Sequence, residues 1–368
     1  MQQRLDALRK KFRTLGVSNF IITRFENFAQ GSLRYLCGYT GSNGVLLVTN
    51  QDAYFITDGR YISQAKEQVK GAKVFIYSGG KSISDGFTRE LKENKAIRFR
   101  GRIGFEARGT SAEFYRAMQT KFPNSELVET TDVIEKIAEI RNDDEIQLIQ
   151  KAVDITDRVF KEVLGLIKPG QKEQELSADI TYRHIMYGAE KNSFDPIVAS
   201  GHRSALPHGI ASDKVIEKGD FITFDIGCYY KGYASDMTRT VVLGKATDKQ
   251  KEVYEVVQKA QLKAVEAIAP GVKCADLDKI ARDIIKEAGY GDKFTHSLGH
   301  GVGHLVHGRP VLSWAALGKL KPGMVVTVEP GVYIEGFGGV RIEDDVLVTE
   351  SGYQVLNNSP RDLIEIDC

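Results

Sequence analysis

Apolar positions along the first ~130 residues alternate between two rhythms, one helical and one of strand length. Leu5, Leu8, Phe12 and Leu15 share one helical face. Phe20–Thr23, Val45–Thr49 and Ala53–Thr57 are short apolar runs, and the cluster Thr40-Gly-Ser-Asn-Gly44 reads as a turn before the second of them. The pattern predicts a helix over 63–69 and a further strand at Val74–Tyr77. These elements describe a self-contained α/β domain over residues 1–130, and it holds no catalytic constellation.

A boundary is expected between Glu129 and Arg141, with a second domain over 135–368. Asn142-Asp-Asp-Glu145 has the form of a capping box and opens a long helix. Ile146, Ile149, Val153, Phe160 and Leu164 form its apolar face, and Pro169-Gly170 is expected to end it. Helices are predicted over 172–187, from Thr247 with Gln250 in the capping position, and over 275–288. Phe221–Ile226 and Asp236–Leu243 alternate as strands, with Phe221, Thr223 and Asp225 on one face and Asp236, Thr238 and Thr240 on another. The residues between them predict a hairpin connection. Val325–Glu329 and Val340–Glu343 repeat the arrangement with glutamates, a weak hint of internal duplication.

At 368 residues the chain exceeds a typical single core, so two domains are expected. Its 42% hydrophobic and 27% charged residues are ordinary for a globular protein, and a net charge of +1 argues against nucleic acid or an anionic membrane as partner. The charged N-terminus does not read as a signal peptide, and no run reaches transmembrane length. A cytoplasmic location is the expectation. Cys37, Cys228, Cys274 and Cys368 are scattered, which suits neither a disulfide framework nor a zinc cluster.

Five side chains stand out: Asp225, Asp236, His300, Glu329 and Glu343. Strands are poor in Asp, and a buried carboxylate needs a partner. For Asp225, Asp236 and Glu343 taken singly, an arginine such as Arg239 or Arg341 would serve. Four carboxylates with one imidazole suit a pair of divalent ions such as Mn²⁺ or Co²⁺ better than a structural zinc. Two ions sharing carboxylates supply a hydroxide at neutral pH and clamp a reacting carbonyl. His300 and His304 have the spacing of a helical zinc motif, but its Glu is missing and Gly301 and Gly303 disfavour a helix. His208 lies in a turn-rich loop, and His184 and His202 receive no role. Gly336-Phe-Gly-Gly339 lacks the ending of a phosphate loop and is read as a turn. Tyr229, Tyr230 and Tyr233 are read as hairpin packing.

Several segments resemble the aminopeptidase P and prolidase family of proline-specific metallopeptidases, whose catalytic domain has the creatinase-like "pita-bread" fold. The closest match is His296-Ser-Leu-Gly-His300-Gly-Val-Gly-His304-Leu-Val-His307. Phe194-Asp-Pro-Ile-Val-Ala-Ser-Gly201, Ala205-Leu-Pro-His208-Gly209 and Thr327-Val-Glu329-Pro-Gly-Val-Tyr333 also match. Leu36-Cys-Gly-Tyr-Thr-Gly-Ser-Asn-Gly44 and Thr57-Asp-Gly-Arg-Tyr61 resemble the family's N-terminal domain. His304 departs from a usually aliphatic position, and Gly308 from a usually acidic one; both bear on the substrate side of the cleft.

The resemblance implies an α/β (α+β) fold, a creatinase-type N-terminal domain followed by a pita-bread catalytic domain. It implies that Asp225 binds one metal, that Asp236 and Glu343 bridge both, and that His300 and Glu329 complete the second. Mn²⁺ is the first expectation, with Co²⁺ or Zn²⁺ possible. The implied activity is hydrolysis of Xaa-Pro bonds in short proline-containing peptides by a homodimer. Glu329 would carry the proton to the departing nitrogen, His208 and His307 would line the cleft, and Arg341 would orient Glu343 or a neighbouring carboxylate. Arg309 two residues after His307, with valine at 311, tilts the reading toward aminopeptidase P over an Xaa-Pro dipeptidase (prolidase). A creatinase-like enzyme or a binding module is the rival of another class.

Overall fold

The structure, a computed structural model, describes residues 1–26, 31–97 and 101–368. The described chain divides into two compact units, Met1–Ile137 and Ala138–Cys368.

In the first unit, six strands form one mixed sheet in the order Lys73–Tyr77, Ala53–Asp58, Gly44–Thr49, Asn19–Arg24, Ile103–Glu106, Leu127–Thr130. The three strands from Asn19 to Asp58 run antiparallel, and the outer pairings are parallel. Parallel pairing needs a crossover, and the helices Ile62–Gln68, Ile83–Glu93 and Ala112–Lys121 provide them. Both faces of the sheet are covered, so its central strands are buried along nearly their whole length, and Ile21, Val45, Leu47 and Ile56 pack under Phe87, Leu91, Phe114 and Met118. Leu5, Leu8 and Phe12 of the helix Gln2–Leu15 are buried as their spacing predicts.

The second unit packs its helices on two larger sheets and also holds a two-stranded ribbon and a three-stranded sheet ordered Tyr233–Ala234, Cys228–Tyr230, Lys191–Asn192. Asn142 and Glu145 close the expected capping box on the helix Asp143–Leu164, and Thr247 and Gln250 close another on Asp248–Glu266. Both helices stop several residues before the Pro-Gly pairs expected to end them, Pro169-Gly170 and Pro270-Gly271. The helices Glu173–Met186 and Cys274–Glu287 fall where periodicity puts them. Asp143–Leu164 and Glu173–Met186 pack Val159, Phe160, Leu176 and Ile180 on a four-stranded sheet ordered Ile364–Ile366, Met237–Leu243, Phe221–Ile226, Ile197–Ser200. The other two long helices pack Val257, Ala264, Leu277 and Ile285 with Val326, Val328 and Val346 of a five-stranded sheet. That sheet runs Gly308–Leu312, Gly299–Gly301, Val325–Val328, Asp344–Val348, Tyr353–Val355. Among the described residues no helix is long and apolar enough to cross a membrane.

One strand differs from its expectation. Val340 and Arg341 do not run on to Glu343; they belong to a two-stranded ribbon, Gly331–Ile334 against Gly338–Arg341, that turns at Gly336. A new strand starts at Asp344 and pairs with Val325–Val328. Glu329 and Glu343 therefore sit just past the ladder, where the chain leaves one sheet for the ribbon.

Candidate metal centre

Two hairpins deliver the carboxylates. In the first, Phe221–Ile226 pairs with Met237–Leu243, Asp225 opposite Thr238 and Ile226 opposite Met237, so Asp236 is the first residue outside the ladder. In the second, Val328 pairs with Asp344, which leaves Glu329 and Glu343 as the first residues beyond the ladder on either strand. His300 comes from Gly299–Gly301, squeezed between two neighbouring strands. A Cβ at 299 would meet the Thr327 carbonyl oxygen at 2.1 Å, and one at 301 would meet the Arg309 carbonyl oxygen at 1.9 Å. Glycine on both sides of His300 is thus a demand of strand packing.

The five predicted ligands come together. Asp225, Asp236 and Glu343 each offer an oxygen within 4.8 Å of the others, and His300, Glu329 and Glu343 form a second such group. Asp236, His300 and His307 form a third. His300 Nε2 lies 3.3 Å from Glu329 Oε1 and 3.7 Å from Asp236 Oδ2. The His307 ring stands edge-on to His300 at 4.5 Å between centroids, with its side chain toward solvent. His208 is exposed and lies within electrostatic reach of His296 and His307.

Neighbouring groups fix these side chains. Thr238 Oγ1 donates to Glu343 Oε2 at 2.6 Å, and Thr327 Oγ1 to Glu329 Oε1 at 3.2 Å. Arg341 donates to Asp225 Oδ2 at 2.6 Å, the Tyr333 hydroxyl at 2.8 Å, Thr238 Oγ1 at 3.1 Å and the Pro207 carbonyl at 3.1 Å. His296 Nε2 is 2.9 Å from the Tyr333 hydroxyl. The Asp236 N–H donates to Asp345 Oδ2 at 3.0 Å. Arg239, 1% exposed, pairs with Asp344 at 2.7 Å and bonds the Glu343 carbonyl. One arginine expectation is corrected and the other is met: Arg239 bonds Asp344 and not Asp236, whereas Arg341 holds a neighbouring carboxylate, that of Asp225. Sequence reasoning passed over the supporting roles of Thr238, Thr327, Tyr333 and Asp345. The strand pattern placed Thr238 beside Asp236, but nothing local linked it to Glu343, 105 residues away.

The electrostatics call for cations. Burial, then the charges of Glu343 and Asp225, push the Asp236 carboxyl far above the usual range. Burial, then Glu329 and Asp225, do the same to Glu343, and burial lifts Glu329 to about 8 against the pull of Arg341. Burial, then His307, lowers His300 to about 3, so its imidazole is neutral at pH 7. With Nδ1 directed to the Gly301 carbonyl at 3.4 Å, the Nε2 lone pair faces two carboxylates. Asp225 Oδ1 and Glu343 Oε1 are buried with no hydrogen-bond partner. Arg341 is one positive charge among four acids, and divalent ions accepting oxygen and imidazole donors fit what is left.

This combination, a mixed α/β unit ahead of a two-sheet unit with an acidic, histidine-bearing cluster, is that of a metallopeptidase. The chain belongs to metallopeptidase family M24, whose model matches residues 147–350, and residues 4–140 match the creatinase/prolidase N-terminal domain. The expected fold class holds. A Bacillus subtilis (strain 168) relative named "Uncharacterized peptidase YqhT" is 44% identical over 98% of this chain and 99% of its own. The solved Xaa-Pro dipeptidase from Bacillus anthracis superposes with a TM-score of 0.90 at 42% identity, over 98% of this chain and 99% of that one. The X-Pro aminopeptidase from Thermotoga maritima MSB8 gives 0.86 at 38%, over 97% and 100%.

Proposed function

We propose that this enzyme hydrolyses the peptide bond before a proline in the second position, using two divalent ions held by Asp225, Asp236, His300, Glu329 and Glu343. The observation that carries this reading is the sharing of ligands. Glu343, Asp236 and His300 each belong to two of the three-residue groups, and of these only the carboxylates carry a second oxygen with which to bridge two ions. Bound ions would supply Lewis acidity and a water that gives up its proton near neutral pH. Asp225 and Asp236 hold one side of the cluster, and His300 and Glu329 the other. Glu329 moves a proton from the attacking water to the departing proline nitrogen. His208 and His307 bind the substrate carbonyl and the tetrahedral oxygens as charge develops. Arg341 aims Asp225 through its hydrogen bond to Oδ2. Proline's tertiary amide has no N–H to offer a general peptidase, which gives a dedicated site its purpose.

Substrate length separates two readings. The residues after His307 favour an aminopeptidase P that takes longer peptides. The Xaa-Pro dipeptidase reading is favoured by the relative at 42% identity that bears that name. The test is cleavage of an Xaa-Pro dipeptide and an Xaa-Pro-Xaa tripeptide side by side, on protein stripped of metal and resupplied with Mn²⁺ or Co²⁺. Cleavage of the tripeptide supports aminopeptidase P, and cleavage of the dipeptide alone supports prolidase. No cleavage of either by folded, metal-loaded protein overturns the proline-peptidase reading. Mn²⁺ as the native ion and a homodimer as the assembly complete the proposal, to be checked by ion replacement and light scattering.

A further inference from the structure

The segment from Ser200 to Ser212 carries Pro207 and His208, and its crown stands out toward solvent. Leu206 and Ile210 are 51% and 55% exposed, and His208 itself is exposed. Its two ends meet at one buried carboxylate. Glu173, the first residue of the helix Glu173–Met186, has a fully buried side chain. Its Oε1 accepts from Ser200 N at 2.7 Å and Ser200 Oγ at 2.9 Å. Its Oε2 accepts from Ser212 N at 3.0 Å, from Ser212 Oγ at 2.8 Å and from Arg203 Nη1. Arg203 also donates to the Ile210 carbonyl at 2.9 Å, across the loop. The helix start adds backbone bonds, with Glu173 N and Gln174 N donating to the Lys214 and Ser212 carbonyls.

We propose that Glu173 is a positioning residue: it staples the 200–212 loop closed and thereby sets where His208 meets substrate. Five donors on one buried carboxylate satisfy the charge fully, so the staple is rigid and specific in geometry. At the loop's far side, the Pro207 carbonyl accepts from Arg341, and Ser204 Oγ accepts from Gly339 N at 2.8 Å. The staple and these two bonds fix the loop at opposite ends, with His208 between. A glutamine at 173 keeps the shape but turns an NH₂ toward Ser212 N or Arg203, which are donors themselves.

The inference rests on the substrate-binding role given to His208, and a double-mutant cycle separates the two. Glu173→Gln, His208→Ala and the pair are assayed for kcat and KM on an Xaa-Pro peptide, with bound Mn²⁺ per chain and Tm measured alongside. Expected is a rise in KM or fall in kcat of about tenfold for Glu173→Gln with metal content intact, and no further loss in the pair beyond His208→Ala. Ser212→Ala, which removes one hydroxyl donor and spares the fold, should give a smaller loss in the same direction that also vanishes without His208. If Glu173→Gln does not fold, the Ser212→Ala cycle alone decides. If the losses multiply, or neither Glu173→Gln nor Ser212→Ala changes turnover, Glu173 does not act through His208 and the proposal falls. If His208→Ala retains full activity, the role of His208 fails and takes this proposal with it.

Discussion

The aspartate hairpin and the glutamate hairpin each bring two carboxylates to the centre, but neither orients its own pair unaided. Asp225 lies inside its ladder, and its partner Arg341 comes from the glutamate hairpin. Asp236 is fixed through its N–H by Asp345, again from the glutamate side. In return Thr238 of the aspartate hairpin holds the Glu343 carboxylate, and Arg239 holds the Glu343 carbonyl and Asp344. Glu329 alone is served from its own strand, by Thr327. The ladder positions supply the ligands, and the cross-bonds between hairpins aim them. Buried carboxylates at such density would repel one another apart without this mutual bracing.

The most severe break removes a ligand. Asp225→Asn and His300→Ala should each lower turnover by about 10³-fold or more, the rate equivalent of several kcal/mol of transition-state stabilisation. Circular dichroism should remain that of the folded chain. Turnover preserved in either variant would take that residue out of the ligand set. Next in size is the central cross-bond. Arg341→Met leaves Asp225 without its guanidinium and should weaken metal affinity by about 10–100-fold, read by competition with a chelating dye. It should also cost the metal-free chain about 3–5 kcal/mol in urea unfolding, because a buried ion pair is broken from one side. Affinity equal to the parent would mean that Asp225 orients itself.

Thr238→Val tests bracing in the other direction. It removes the donor to Glu343 and the acceptor for Arg341 Nε, and kcat/KM should fall about tenfold. Thr238→Ser should restore most of it, whereas equal losses in both variants would point to packing and not to the hydroxyl.

The smallest expected effect separates the hairpins by pH. His184, 0% exposed, bonds Asn192 at 2.8 Å, and Asn192 pairs with Cys228 in the connection between the two strands of the aspartate hairpin. Burial holds its pKa below the ordinary 6.5. As pH falls below 6.5, the unfolded chain takes a proton that the folded chain refuses, so this contribution to stability is complete above 6.5 and lost on acidification. In metal-free protein the difference in urea midpoint between the parent and His184→Gln should be wider at about pH 7.5 than at about pH 5.5, because only the parent carries this contribution. A difference equal at both would assign the pH dependence to other groups.

Much of this was legible in the chain itself. The capping boxes at Asn142 and Thr247, the strand carrying Asp225, and the glycines flanking His300 all depend on near neighbours or on residue type. The bracing was not legible, because each of its bonds joins residues more than 100 positions apart. Arg239 three residues after Asp236, and Arg341 two before Glu343, suggested local pairs. Asp236 lies outside the ladder that holds Arg239, and the chain leaves the ribbon after Arg341, so each arginine reaches the other hairpin instead. The alternating stretch Val340–Glu343 concealed a change from ribbon to sheet, since strand patterning cannot tell one sheet from another.

The most direct test of the two-ion account is a titration of metal-stripped protein with Mn²⁺, following bound ion and Xaa-Pro cleavage in the same samples. The account predicts that activity rises to its plateau as binding reaches two ions per chain, and that Asp225→Asn binds fewer and stays inactive. Full activity with one ion per chain, or with none, would contradict it.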